Sequence, residues 1–218
     1  MAAATIEELG DDLDASLQWR RMELHAIRTD IESLTPQNEG LPRGRAILRG
    51  GVALLYAHWE GFTKEACQSY LDFVARRRLK VGELSDAFVM LALRRIANRM
   101  ATGDVGGTAA MVDAARRGSD FRPQVPRQDV VATQGNLRFR TLSDILLSLG
   151  MPVDAFETKA QLIDRTLCDG RNDIAHGRAA FPRRDEFLPL HIEVLGMMEQ
   201  VRDVILQHAG QGLYRAPA

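Results

Sequence analysis

Lysine and cysteine are scarce in this chain. Among its 28 basic residues only Lys64, Lys80 and Lys159 are lysines, and its two cysteines, Cys67 and Cys168, stand far apart without CxxC or Cys/His ligand spacing. That arrangement excludes a structural zinc site and reads as two core thiols in a reducing compartment. No basic leader with an apolar core opens the sequence, and no apolar run approaches the roughly 18 residues that span a bilayer. The expectation is a soluble, cytoplasmic protein with no membrane partner. No segment alternates apolar and polar residues with period two between turn signals, which excludes a sheet-based fold. Internal repeats and low-complexity tracts are also missing. His25, His191 and His208 fall on separate amphipathic stretches, with no pair at zinc-ligand spacing, so neither a metal nor a cofactor is expected.

The formal net charge is −1 over 218 residues, which excludes a uniformly basic nucleic-acid coat. The charge is unevenly distributed: residues 1–40 carry nine acids against three bases, whereas residues 41–80 carry three acids against eight bases. A dipolar surface follows. The dominance of arginine favours bidentate phosphate contact, although an arginine-rich genome gives the same composition.

With 45% hydrophobic residues, the chain is long enough for one well-buried core, read here as a single domain over 1–218 with its core at about 40–208. Ile6, Leu9, Leu13, Leu17, Leu24, Ile27, Ile31 and Leu34 recur at helical intervals and predict a long helix ending before Pro36. A second long helix is predicted from about Arg43 to Arg78. Its small residues Ala46, Gly50, Ala53, Ala57 and Gly61 form a stripe that permits close helix approach. A third helix is expected from about Leu84 to Arg99. A Gly/Pro-rich insertion then occupies about 101–135, with a short helix at Thr108 to Arg117 inside it. Arg116, Arg117, Arg122 and Arg127 make the insertion basic: it is either a phosphate-contacting flap or a solvated excursion.

Helical spacing resumes at Leu137, Leu142, Ile145, Leu146 and Leu149. Thr158 and Gln161 read as a capping box for the next helix. Asp185 is expected to cap a last helix whose apolar positions are Leu188, Ile192, Leu195, Met198, Val201 and Ile205. The fold class is therefore all-α, an antiparallel helical bundle.

The segment that carries chemistry is Arg171-Asn172-Asp173-Ile174-Ala175-His176, closed by Gly177. On an α-helix Asn172 and His176 share a face, about 40° apart. Arg171 and His176 are roughly 140° apart around the axis and about 7.5 Å along it, a poor fit to one rigid helix that fraying beside Gly170 or a symmetric second copy relieves. A histidine that titrates near neutrality serves either proton transfer of RNA cleavage: removal from the 2′-hydroxyl or delivery to the leaving 5′-oxygen. A fixed guanidinium offsets charge on the phosphorane oxygens. The Asn172 amide orients the imidazole or holds a nonbridging oxygen. The same residues are also compatible with ordinary turn chemistry, with Asp173 pairing with Arg171 or a neighbouring base. Glu60 bonds either a basic residue of the motif or Lys64 one turn on. Arg178, Arg183 and Arg184 are candidate RNA-phosphate contacts or solvated loop charges, and His58 and Trp59 read as packing residues.

This segment resembles the Arg-x(4 to 6)-His signature of the HEPN superfamily, including the polar residue after the arginine. Tyr56-Ala57-His58-Trp59-Glu60-Gly61-Phe62, together with Asn136-Leu137-Arg138, resembles its bacterial MAE-type or RiboL-PSP-associated HEPN-like nucleases. The likeness covers roughly residues 40 to 205. It implies a HEPN-like bundle in which Arg171 and His176 are catalytic, Asn172 supports them, and Glu60 and Asp173 are candidate supporting groups. It further implies a metal-independent endoribonuclease acting as a homodimer with a composite cleft. The products would be 2′,3′-cyclic phosphate and 5′-hydroxyl ends, and the setting bacterial defence or a toxin–antitoxin system with an antitoxin or defence partner. The alternative is a non-catalytic RNA- or nucleotide-binding or oligomerisation module of a defence complex.

Overall fold

Three long helices carry the architecture of the computed structural model, which describes residues 3–133 and 135–217. Met1, Ala2 and Ala218, within the expected domain range, and Gln134, within the insertion, lie outside the described residues. In chain order the helices are α1 (Ile6–Glu32), α2 (Pro42–Arg76), α3 (Asp86–Ala101), α4 (Val105–Arg117), α5 (Phe139–Ser148), α6 (Asp154–Glu157), α7 (Gly170–Ala175) and α8 (Arg184–Gly210). A π-helical segment, Leu162–Asp169, leads directly into α7. The fold is all-α; among the described residues the β content is one isolated bridge between Leu84 and Arg215.

Helices α1, α2 and α8 pack along one another. Helix α1 buries Leu9, Leu13, Leu17, Leu24 and Ile31, the stripe expected from its spacing. Its start is a capping box in which the Thr5 hydroxyl accepts from the Glu8 N–H and the Glu8 carboxylate accepts from the Thr5 N–H. Helix α2 buries residues on most of its circumference, from Leu48 through Tyr56, Phe62 and Tyr70 to Val74, as suits a central helix. A tight helix contact falls at Gly51, which lies outside the small-residue stripe. A Cβ there would lie 2.7 Å from Ile31 Cδ1 and 2.8 Å from Phe187 Cε2, so only glycine lets α1 and α8 meet α2 at this level. Within one chain Ala46, Gly50 and Ala57 are exposed instead.

Several local expectations are corrected. Helix α8 turns Phe187, Leu190, Val194, Met197 and Met198 inward, leaving Ile192 60% exposed. Met198, Val201 and Ile205 of the expected stripe are buried and Leu188 and Leu195 pack half-buried against the core, so the departure is confined to Ile192. The α8 start is closed by the Glu186 carboxylate on the Arg183 N–H, while Asp185 pairs with the Arg183 side chain. Thr158 ends α6 instead of opening a helix, because the short turn begun after Pro152 already places it at the C-cap.

The insertion is ordered around α4, which begins at Asp104, whose carboxylate accepts from the Gly106 N–H. Both cysteines are free and buried.

His191 is buried at the α1–α8 contact, its Nε2 3.2 Å from the Leu24 carbonyl and its Nδ1 without a partner. Burial, with Arg28 nearby, lowers its pKa below 6.5. Because the folded state resists protonation more than the unfolded chain does, this residue's contribution is intact above pH 6.5 and declines as pH falls below it. His191→Gln, which keeps an amide donor for Leu24, should show a shallower loss of melting temperature than the parent between neutral and mildly acidic pH. Equal slopes would remove His191 as a source of that dependence.

Candidate active site

The motif sits where α2, the segment after Gly135 and the π-to-α7 junction converge. Gly170 begins α7 against Val52 of α2; a Cβ added there would be 3.8 Å from Val52 Cγ1. One turn along α2, Tyr56 is almost wholly buried and lies under Arg171, with the guanidinium carbon 4.1 Å from its ring centroid. This is a cation–π contact in a partly desolvated place. The Tyr56 hydroxyl accepts a hydrogen bond of 2.8 Å from the N–H of Leu137, itself fully buried. Burial pushes the Tyr56 pKa up to about 12, so the phenol stays protonated at neutral pH and its proton points towards the Gly135 carbonyl, 3.5 Å away.

Arg171 donates from Nη2 to the Gly135 carbonyl and to Asn136 Oδ1, the latter at 3.3 Å. Asn172 Nδ2 donates to the same Asn136 oxygen, also at 3.3 Å. Among the described residues no carboxylate lies within ion-pair distance of Arg171, and its Nε is buried without a partner. The neighbouring Arg138 contrasts with it: its Nη2 meets Asp169 at 2.6 Å. Asp164, on the π segment, accepts from the Phe139 N–H at 2.7 Å and so closes the otherwise uncapped start of α5. The π segment thus ties α5 to α7 while burying Ile163, Leu167 and Cys168. Such wide turns recur at functional sites.

His176 caps α7 and is exposed, its N–H bonded to the Asn172 carbonyl at 2.9 Å. Gly177 follows at φ +68°, and the pair of bonds from Gly177 N to Ile174 O and from Arg178 N to Asp173 O forms a Schellman closure. Within one chain the arginine therefore turns inward and the imidazole faces solvent.

The other expected residues are distributed around this centre. Asp173 pairs with Arg178 at 2.7 Å rather than with Arg171. Arg183 faces Asp185 at 3.2 Å, and the Arg184 N–H reaches Glu39 at 3.4 Å. Glu60 is half-buried one turn beyond Tyr56 and, among the described residues, meets neither the motif nor Lys64 within ion-pair distance; Tyr56 occupies the position under the arginine instead. His58 lies on the opposite side of α2, edge-on to Trp19 and 2.9 Å from Glu23. Trp59 is fully buried against Phe156. Among the described residues no three His, Cys, Asp or Glu side chains gather into a set that could hold a metal ion. No helix of the described chain is long and apolar enough to cross a membrane.

Arg49 is the participant that motif reasoning missed. Its guanidinium bonds the carbonyls of Arg178 at 2.7 Å, Ala180 at 2.6 Å and Ile174 at 3.3 Å, clamping the loop after the motif onto α2. Phe181 shields this clamp from one side, 4.6 Å from the Arg45 guanidinium. The clustering of Arg43, Arg45 and Arg49 in the sequence was the available signal.

A family model described as MAE_28990-like HEPN matches residues 9–214. The chain belongs to this HEPN family. No curated protein and no solved structure gives a significant match. HEPN domains are generally associated with RNA binding and RNase activity, often dimerise, and include many non-catalytic members. In this HEPN chain the two segments that resembled the family outside the motif, at Tyr56 and at Asn136, are the ones that meet Arg171.

Removing the Tyr56 hydroxyl tests how that junction is held. Tyr56→Phe keeps the ring under Arg171 but strands the buried Leu137 N–H, and should cost about 1–3 kcal/mol of unfolding free energy in urea titration. A stability equal to the parent's would mean that this bond does not hold the segment.

Proposed function

We propose that this HEPN chain is a metal-independent endoribonuclease working as a homodimer. The supporting observation is the state of Arg171: a half-buried guanidinium held by a carbonyl, an amide and an aromatic face, with no carboxylate among the described residues to neutralise it. A cation fixed by neutral groups keeps its charge for an incoming anion and reorganises little as the phosphorane forms. Arg138, Arg178 and Arg183 each already face a carboxylate and offer less free charge.

In the proposed reaction a His176 imidazole removes the 2′-hydroxyl proton, and the 2′-oxygen attacks the adjacent phosphorus. The bond from phosphorus to the 5′-oxygen breaks, and a protonated His176 returns a proton to that oxygen. The products are a 2′,3′-cyclic phosphate and a 5′-hydroxyl, with no net redox change and no added reactant. Arg171 stabilises the equatorial oxygens, and Asn172, sharing the Asn136 acceptor with Arg171, fixes their spacing. Since Arg171 points inward and His176 outward in one chain, a second copy across a two-fold axis supplies the complementary imidazole. The exposed small residues Ala46, Gly50 and Ala57 of α2 are the face offered for that close approach. A setting in bacterial defence or a toxin–antitoxin pair, with a partner that blocks or releases the cleft, accompanies this reading.

Purified protein and its His176→Ala and Arg171→Ala variants would be incubated with mixed cellular RNA in excess EDTA and the product ends identified. The parent alone should cleave, leaving cyclic phosphate ends, and each substitution should lower the rate by at least about 100-fold with helicity unchanged. Cleavage retained by His176→Ala would overturn the mechanism. RNA binding without turnover by the parent would assign the chain to the non-catalytic members.

A further inference from the structure

A cavity lies away from the motif. It is a half-open cleft of about 670 Å³ between the end of α2, the outer face of α3 and the segment 123–130 of the insertion. Five guanidinium side chains line it: Arg78, Arg94, Arg95, Arg99 and Arg127. Arg99 is held by Asp104 at 2.6 Å and Arg127 lies 3.7 Å from Asp72, so their charge is largely offset. Arg78, Arg94 and Arg95 have no carboxylate within 4.0 Å among the described residues. Among the described residues one carboxylate, Asp129, shares the lining with them.

Three further features bear on what occupies the cleft. The two non-glycine residues with positive φ among the described residues, Arg78 at 49° and Asp129 at 62°, both line it, and the Arg78 carbonyl is held by Arg122 Nη1 at 3.0 Å. Arg78 is the residue just past the α2 C-cap, so its left-handed turn ends that helix at the cleft rim. The lining contains no aromatic ring, so nothing is built to stack a base, whereas guanidinium forks match phosphate oxygens in geometry and charge. Finally, the rim is close in sequence to the segment that meets the motif. The Arg127 carbonyl accepts from Gln68 of α2 at 2.9 Å, and nine residues further on Asn136 bonds Arg171. Nine extended residues span at most about 30 Å, so cleft and motif are within reach of one nucleic-acid strand.

We infer that this cleft binds successive backbone phosphates of single-stranded RNA at a distance from the Arg171/His176 site, through Arg78, Arg94 and Arg95. The inference rests on the RNA reading above and adds a second binding surface that positions long substrates without base recognition. Of the four arginines that made the insertion basic in sequence, only Arg127 lines the cleft. Arg117 is paired with Asp113, and Arg122 serves the Arg78 backbone.

The test uses the full chain carrying His176→Ala, so that RNA is not consumed, and an RNA of about twelve nucleotides in fluorescence anisotropy across a salt series. Arg78→Gln/Arg94→Gln alters two exposed side chains; Arg116→Gln/Arg117→Gln removes equal charge from the same region outside the cleft. The first pair should weaken binding about tenfold and reduce the salt slope by roughly 0.7 for each phosphate no longer neutralised, while the control pair changes little. In the His176-containing protein, the first pair should leave cleavage of a dinucleotide unchanged. Affinity and slope equal to the parent's in the first pair, equal losses in both pairs, or no RNA affinity in the parent would each overturn the inference. A loss confined to nucleoside triphosphate binding would also overturn it and make the cleft a small-ligand site. Selective loss of RNA binding in the first pair, alongside a parent that cleaves nothing, would uphold the cleft and reject the nuclease. Intact cleavage with unaltered RNA binding would do the reverse.

Discussion

The hydrogen bond from the Leu137 N–H to the Tyr56 hydroxyl is the constraint on which the candidate site depends. A buried backbone donor must find an acceptor, and here the acceptor is a side chain of the central helix rather than another backbone group. Meeting that need pins the residues before α5 against α2. It also brings the Gly135 carbonyl and Asn136 to the place where Arg171 and Asn172 arrive from α7. The ring of the same tyrosine forms the floor under the guanidinium. One side chain thereby sets both the acceptors and the surface that Arg171 meets, and the π segment sets the approach of α7 from the other side.

Within this frame neighbouring arginines have different tasks because their partners differ. Arg138 is bound to Asp169 and Arg49 to three carbonyls, so both act as braces. Arg171 is oriented by a carbonyl, an amide oxygen and a ring, which fix its plane without cancelling its charge. Lysine could not replace it well, since a single ammonium cannot lie flat on the Tyr56 ring while donating sideways to Gly135 and Asn136. The scarcity of lysine in the sequence is consistent with several such planar roles, of which Arg49 and Arg20 are further cases. Arg20 bonds the Ser16 carbonyl and Glu65 while lying over Trp19.

Much of the fold was legible because long amphipathic helices repeat their signal over many turns. The α1 stripe and the extent of α2 follow from apolar spacing alone. Short-range features were less legible where two local solutions compete. Thr158 has the chemistry of a helix start, yet a preceding turn fixes it as a helix end. The π segment leaves no local mark, because its wider turn is selected by the joint burial of Ile163, Leu167 and Cys168 and by the need of α5 for Asp164. For the site, the motif residues and the segments around Tyr56 and Asn136 were visible as sequence, but their meeting in space was not. Glu60 is the conspicuous carboxylate on α2, whereas the neutral Tyr56 one turn earlier lies against the arginine. Charge is conspicuous in a sequence, but an uncharged residue that positions a charge is recognised only once the chain is folded.

The near-zero net charge does not argue against a polyanionic ligand, because the motif-side acids Asp169 and Asp173 are paired with Arg138 and Arg178, and the α1 residue Glu23 meets the other side of α2. His58, Gly61 and Glu65 of α2 meet Glu23 and Arg20 of α1, whereas Val52 and Tyr56 meet α7. From Tyr56, positions 58, 61 and 65 lie about 140–200° around the helix. The acid-rich α1 is therefore separated from Arg171 by the width of a helix, about 10 Å, which exceeds the roughly 8 Å Debye length at physiological ionic strength. At that distance the α1 carboxylates act on Arg171 less than its immediate neighbours do. The potential near Arg171 is thus set by the local pairing of charges more than by the net charge of the chain.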